Sequence, residues 1–145
     1  MEAPTPEPAV RPLGLHEFVL EVADLDRSAV FYERVIGLPV VTRWEGERSA
    51  VWFAMGDSSA LGLWPVETGG ANAIAHGRGG EHVHFALRIP RGTIDTVHAH
   101  LEAMGYAVER VAFDNGNESL YLNDPDGHLV ELMDAVVSWS GTTLT

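Results

Sequence analysis

Residues 123–134 read NDPDGHLVELMD, and the architecture can be worked outward from them. Asn, Asp, Pro and Gly crowded into five positions are a strong turn signal. The HLVELMD that follows is a strand with one discordant residue, Glu131, between Val130 and Leu132. A lone carboxylate in a central strand is costly to bury unless it is paired, hydrogen-bonded or bound to a metal. About 69 residues upstream, the LGL of residues 61–63 holds the place of this VEL. Gly37 matches Gly105, and Val22 matches Ile89, at nearly the same offset. The chain is therefore two copies of one unit.

Each copy reads strand–helix–strand–strand–strand. In the first, Phe18, Leu20 and Val22 alternate with Glu17, Val19 and Glu21, which predicts a half-buried strand. Asp24 opens a helical stretch in which Leu25, Ala29, Tyr32 and Ile36 recur at helical spacing, and Gly37 stands where a left-handed cap belongs. LPVVTRW, RSAVWFAM and SALGLWPV are the next three strands. In the second copy the series is HVHFALRI, the helix TIDTVHAHLEAM, then YAVERVA, ESLYLN and HLVELMD. Four strands with one helix leave a sheet face uncovered. The expected fold is α+β: two βαβββ modules, residues 14–66 and 81–136, forming a curled mixed-sheet trough with the helices outside. Residues 1–13, with four of the eight prolines, read as a flexible arm and 137–145 as a tail.

Composition removes several chemistries. Nine Arg stand against 21 Asp and Glu, a net charge of −12, which argues against nucleic acid and anionic membranes as partners. There is no Cys, so disulfides, thiolate nucleophiles and Cys-type metal sites are excluded. There is no Lys, which excludes Schiff-base chemistry. No apolar run is long enough to span a bilayer and no secretory signal is visible, so a cytoplasmic location is expected.

VADLDRSAVFYERVIGLPV (22–40), HFALRI (84–89) and NDPDGHLVELMD together resemble the vicinal oxygen chelate superfamily, which includes glyoxalases, bleomycin-resistance proteins and extradiol dioxygenases. The resemblance covers residues 14–136. It implies a divalent metal, Mn, Fe, Ni or Zn, held by side chains from strands one, four, five and eight that point into the trough. Matched position by position, strand five gives His84, strand eight gives Glu131 and strand one gives Glu17, while strand four gives Gly62, which binds nothing. A one-residue bulge in strand one would present His16 in place of Glu17. The resemblance also implies a small-molecule substrate and a homodimer.

Each of these residues has a plainer reading. Glu131 could be a solvated trough residue, His84 a satisfied histidine beside an Arg, and Glu17 an exposed strand residue like Glu21. His82 and His84 form an H-x-H pair that could chelate alone. Tyr121 alternates against Leu120 and Leu122 and so faces the trough, either to hold substrate or to fill the sheet. Trp44, Trp52 and Trp64 could floor an apolar pocket, and Arg43 and Arg88 could meet an anion. His76, His98 and His100 read as solvated and His128 as structural.

Two functions follow. One is a metal-dependent isomerase, lyase or dioxygenase that chelates a small oxygenated substrate, with Glu17 or Glu131 as the base and Tyr121 against the substrate. Thiol transfer of the fosfomycin type is disfavoured, because those relatives use a Lys. The other is a metal-free protein that binds a cationic drug of the bleomycin type between aromatic walls.

Overall fold

The computed structural model describes residues 15–47, 49–66, 84–137 and 142–145, together with positions 5, 8 and 13. The expected arm and the loop between modules, including His76 and His82, lie largely or wholly outside the described residues.

Strand β1 (Glu17–Val22) runs into Asp24, whose side chain accepts the Arg27 amide at 3.0 Å and so caps α1 (Leu25–Val30). The expected single helix changes pitch at Phe31. Residues Phe31–Ile36 wind as a wider π-helix, so that consecutive Phe31 and Tyr32 are both buried. Gly37 ends it at φ 90°, the left-handed conformation its position predicted. Strands β2 (Val40–Trp44), β3 (Ala50–Met55) and β4 (Ser59–Pro65) complete the module.

The second module repeats this order: β5 (His84–Arg88), α2 (Ile94–Ala103), β6 (Glu109–Ala112), β7 (Glu118–Asn123) and β8 (Leu129–Asp134). The sheets have matching topologies, β1-β4-β3-β2 and β5-β8-β7-β6. In each, the first and last strands pair in parallel and the others antiparallel, so both sheets are mixed. Among the described residues the two sheets share no strand pairing, and the molecule is an open α+β structure of curled sheets rather than a closed barrel.

The helix-side faces of both sheets feed one core, with Phe53, Leu61 and Leu63 from the first and Leu120, Leu122 and Val130 from the second. Phe18 and Phe85, from β1 and β5, meet with ring centroids 5.2 Å apart, and Phe85 also stacks on Tyr32. Burying each of these large side chains contributes about 1.5–3 kcal/mol. On the opposite face of β5, His84, Ala86 and Arg88 are all exposed while Phe85 and Leu87 between them are half-buried. No helix of the described residues is long and apolar enough to cross a membrane.

The turn before β8 ties the modules together. Asp124 Oδ2 accepts the Tyr32 hydroxyl at 2.7 Å and pairs with His128 Nδ1 at 2.7 Å. Its Oδ1 accepts the amides of Asp126 and His128. Asp126 in turn accepts Ser28 Oγ and the Ala23 amide, at the start of α1.

Candidate functional site

The register of the second sheet places Glu131 on β8 between Ala86 of β5 and Tyr121 of β7. Period-two alternation then puts His84, Ser119, Tyr121 and Glu131 on the trough face. Glu131 is 3% exposed, yet its carboxylate is fully served. Ser119 Oγ donates to Oε1 at 2.6 Å, Tyr121 donates to the same oxygen at 2.9 Å, and His84 Nε2 lies 3.0 Å from Oε2. Charge-assisted bonds of this kind offset the cost of burying the carboxylate. Burial, followed by the bond to Glu131 and its negative charge, pushes the Tyr121 hydroxyl above its ordinary value, so it stays protonated and donates. The ring of His84 stands edge-on to that of Tyr121, 6.0 Å between centroids.

The first sheet holds the counterpart of this site with different contents. Trp52 pairs with Gly62 as Tyr121 pairs with Glu131. A Cβ added at Gly62 would stand 2.6 Å from Cζ3 of Trp52, so the indole lies over the glycine where a ligand side chain would rise. Trp44 and Trp64 pack against that indole at 5.5 and 6.2 Å.

Of the residues singled out from sequence, His84, Glu131 and Tyr121 are brought together. Glu17 is exposed on β1, opposite Ala60, and forms no group with His84 and Glu131 whose ligand atoms all lie within 4.8 Å. Among the described residues one group of three potential ligands has its donor atoms within 4.8 Å of one another, and it is Asp124, Asp126 and His128. Burial would raise the Asp124 carboxyl, but the bonds from His128 and Tyr32 outweigh it and hold the group below the usual carboxylate range. The bond to Asp124 raises His128 against the opposing effect of burial. These oxygens are already engaged in the contacts that tie the modules, which makes the cluster structural. Sequence reasoning took His128 as structural but did not name Asp124 or Asp126; the D-x-D-x-H spacing was the available signal. Ser119 was also missed, although it alternates in phase with Tyr121.

Beyond the Glu131 row the trough face opens into a cavity of about 350 Å³. Ala86, Arg88, Phe113, Asn117, Met133 and Leu144 are among its lining residues.

Comparison with known proteins places the fold in a family. Residues 14–132 match the model of the Glyoxalase/Bleomycin resistance protein/Dioxygenase superfamily, and the chain belongs to that superfamily. It is 26% identical over 120 residues to the glutathione transferase FosA of Serratia marcescens, covering 82% of this chain and 79% of that one. It is 26% identical over 123 residues to the metallothiol transferase FosB of Shouchella clausii (strain KSM-K16), covering 82% and 78%. A solved structure of lactoylglutathione lyase from Agrobacterium tumefaciens superposes with a TM-score of 0.68 and 30% identity, over 85% of this chain and 94% of that one.

Proposed function

We propose that the chain is a metal-dependent enzyme acting on a small oxygenated substrate, with His84 and Glu131 as metal ligands. The observation that carries this reading is the convergence of an imidazole nitrogen and a buried carboxylate oxygen, 3.0 Å apart, on the open face of the second sheet. That donor pair suits a borderline divalent cation such as Mn²⁺, Fe²⁺, Ni²⁺ or Zn²⁺. A relative named as a metallothiol transferase supports the same reading. When bound, the cation would supply a Lewis acid for charge developing on a substrate oxygen.

The chain's own residues divide the work. Ser119 and Tyr121 hold Oε1 of Glu131, which turns Oε2 toward His84. Glu131, tied by three donors, is poorly placed to move protons, which leaves the exposed Glu17 as the proton-transferring carboxylate. Tyr121 stays a hydroxyl donor for Glu131 or for a substrate oxygen. Glu17 forms no ligand group with His84 and Glu131 within one chain, so a homodimer is part of the proposal, with Glu17 of the partner subunit closing the site. Exposed Val19 and Trp44 on the open face of the first sheet are apolar surface that a second copy would cover. Without a Lys, thiol transfer like that of the fosfomycin-type relatives is disfavoured, and isomerase, lyase or dioxygenase chemistry is favoured.

Metal analysis of untagged protein tests the reading. One equivalent of metal, lost on His84→Ala, supports it; metal-free protein overturns it. One observation favours a second reading, a metal-free binder of cationic drugs: Trp52 is buried beneath two other indoles with its Nε1 lacking a hydrogen-bond partner among the described residues. Quenching of Trp fluorescence by a cationic glycopeptide in metal-free protein would support that alternative.

A further inference from the structure

The cavity beside Glu131 differs in charge from the rest of the protein. The chain carries 21 acids, yet among the described residues none of them lines this cavity. Among the described residues its apolar walls are Phe113, Met133, Ala135, Val137 and Leu144, its polar ones Asn115 and Asn117, and Arg88 is the one charged residue. Asn117 is committed elsewhere: its Oδ1 accepts the amides of Val136 and Val137, and its amide group turns to the Met133 sulfur. Arg27, Arg91 and Arg110 are each paired with an acid. Arg88 has no such pair among the described residues, although it stands on the trough face two positions from Ala86, which is in register with Glu131. That offset is about 7 Å along the strand, within reach of an Arg side chain.

We propose that Arg88 and this cavity recognise a small organic anion with an apolar body, the carboxylate on the guanidinium and the body against Phe113, Met133 and Val137. A guanidinium presents a planar fork that fits a carboxylate through two bonds. At physiological ionic strength the protein's distant negative charges are screened beyond about 8 Å, so the nearby cation governs the local preference. That this anion is the substrate rests on the reading of His84 and Glu131 as the reaction centre. The recognition itself needs no metal.

The test uses octanoate as the probe, titrated by calorimetry into the full chain, with octanol and octylammonium as controls. Amide shifts map its position. Octanoate is expected to bind in preference to both controls, to shift Ala86, Met133 and Val137, and to lose about tenfold or more in affinity on Arg88→Gln. Phe113→Ala should weaken it as well; both residues are exposed, so the fold is expected to survive. Octanoate that fails to bind, or binds equally well to Arg88→Gln, overturns the proposal. Repeating the titration on His84→Ala keeps the two readings apart. Binding retained there shows that recognition needs no metal, and octanoate binding by a parent chain found to be metal-free leaves the anion site standing while the metal reading falls. Metal retained by the parent chain with no octanoate binding does the reverse.

Discussion

His84 Nε2 and Glu131 Oε2 face each other at 3.0 Å across two parallel strands that lie 47 positions apart in the chain. The pair is asymmetric in exposure: the imidazole is 37% open to solvent and the carboxylate 4%. A buried anchor with an accessible partner can hold its geometry and still receive a ligand.

Glu131→Gln should keep the shape of the side chain and remove its second acceptor oxygen. Ser119 and Tyr121 can still share the remaining carbonyl oxygen, as they share Oε1 now, but the oxygen that faces His84 becomes an NH2 donor, so that contact loses its acceptor and its charge. The expected loss is about 1–3 kcal/mol in urea unfolding, together with loss of bound metal. Unchanged stability would contradict the hydrogen-bonding described for this carboxylate.

Tyr121→Phe removes one of the two donors to Oε1 and leaves Ser119 in place. The chain should fold normally, and metal affinity should fall about 10- to 100-fold, the range for losing an outer partner of a ligand. Competition with a chelator of known affinity measures this. Identical affinity in the variant would restrict Tyr121 to the substrate.

Gly62→Ala should destabilise by about 1–3 kcal/mol, because the new Cβ meets the Trp52 ring and that ring is confined by Trp44 and Trp64. The Trp emission spectrum should change with it. A variant as stable as the parent, with an unaltered spectrum, would show that the ring does not sit over the glycine.

The Asp124–His128 pair predicts a pH dependence. His128 is raised above its ordinary 6.5, so its contribution is complete below that pH and is lost as pH rises through the raised value. Asp124 is held below its ordinary 3.8, so its contribution is present above that pH and is lost as pH falls through the lowered value. The pair is at full strength between those two ordinary values. The stability difference between the parent chain and His128→Gln, followed by urea unfolding from pH 5 to 9, should therefore shrink on the alkaline side. A difference constant across that range would mean that the pair is not ionised as described.

The elements were legible because each rests on local periodicity. Phe18, Leu20 and Val22 against Glu17, Val19 and Glu21 gave β1, and the offset between matched glycines gave the duplication. Alternation alone places Tyr121 on the trough face, where its hydroxyl meets Glu131. The change of helical pitch at Phe31 was not legible from local periodicity, and neither was the bond from Tyr32 to Asp124, 92 positions away. The separation of Glu17 from His84 and Glu131 was hidden for the same reason. Alternation states which face a residue occupies, but not how two sheets without shared pairing lie relative to one another.

The indole of Trp52 over Gly62 has a consequence for stoichiometry. Duplication of the unit handed the chain two equivalent strand positions, Glu131 and Gly62, and the second is covered by an indole. Among the described residues the two matched positions thus carry opposite surfaces, one polar and one waxy, so a ligand that needs a carboxylate finds it in one of the two modules only.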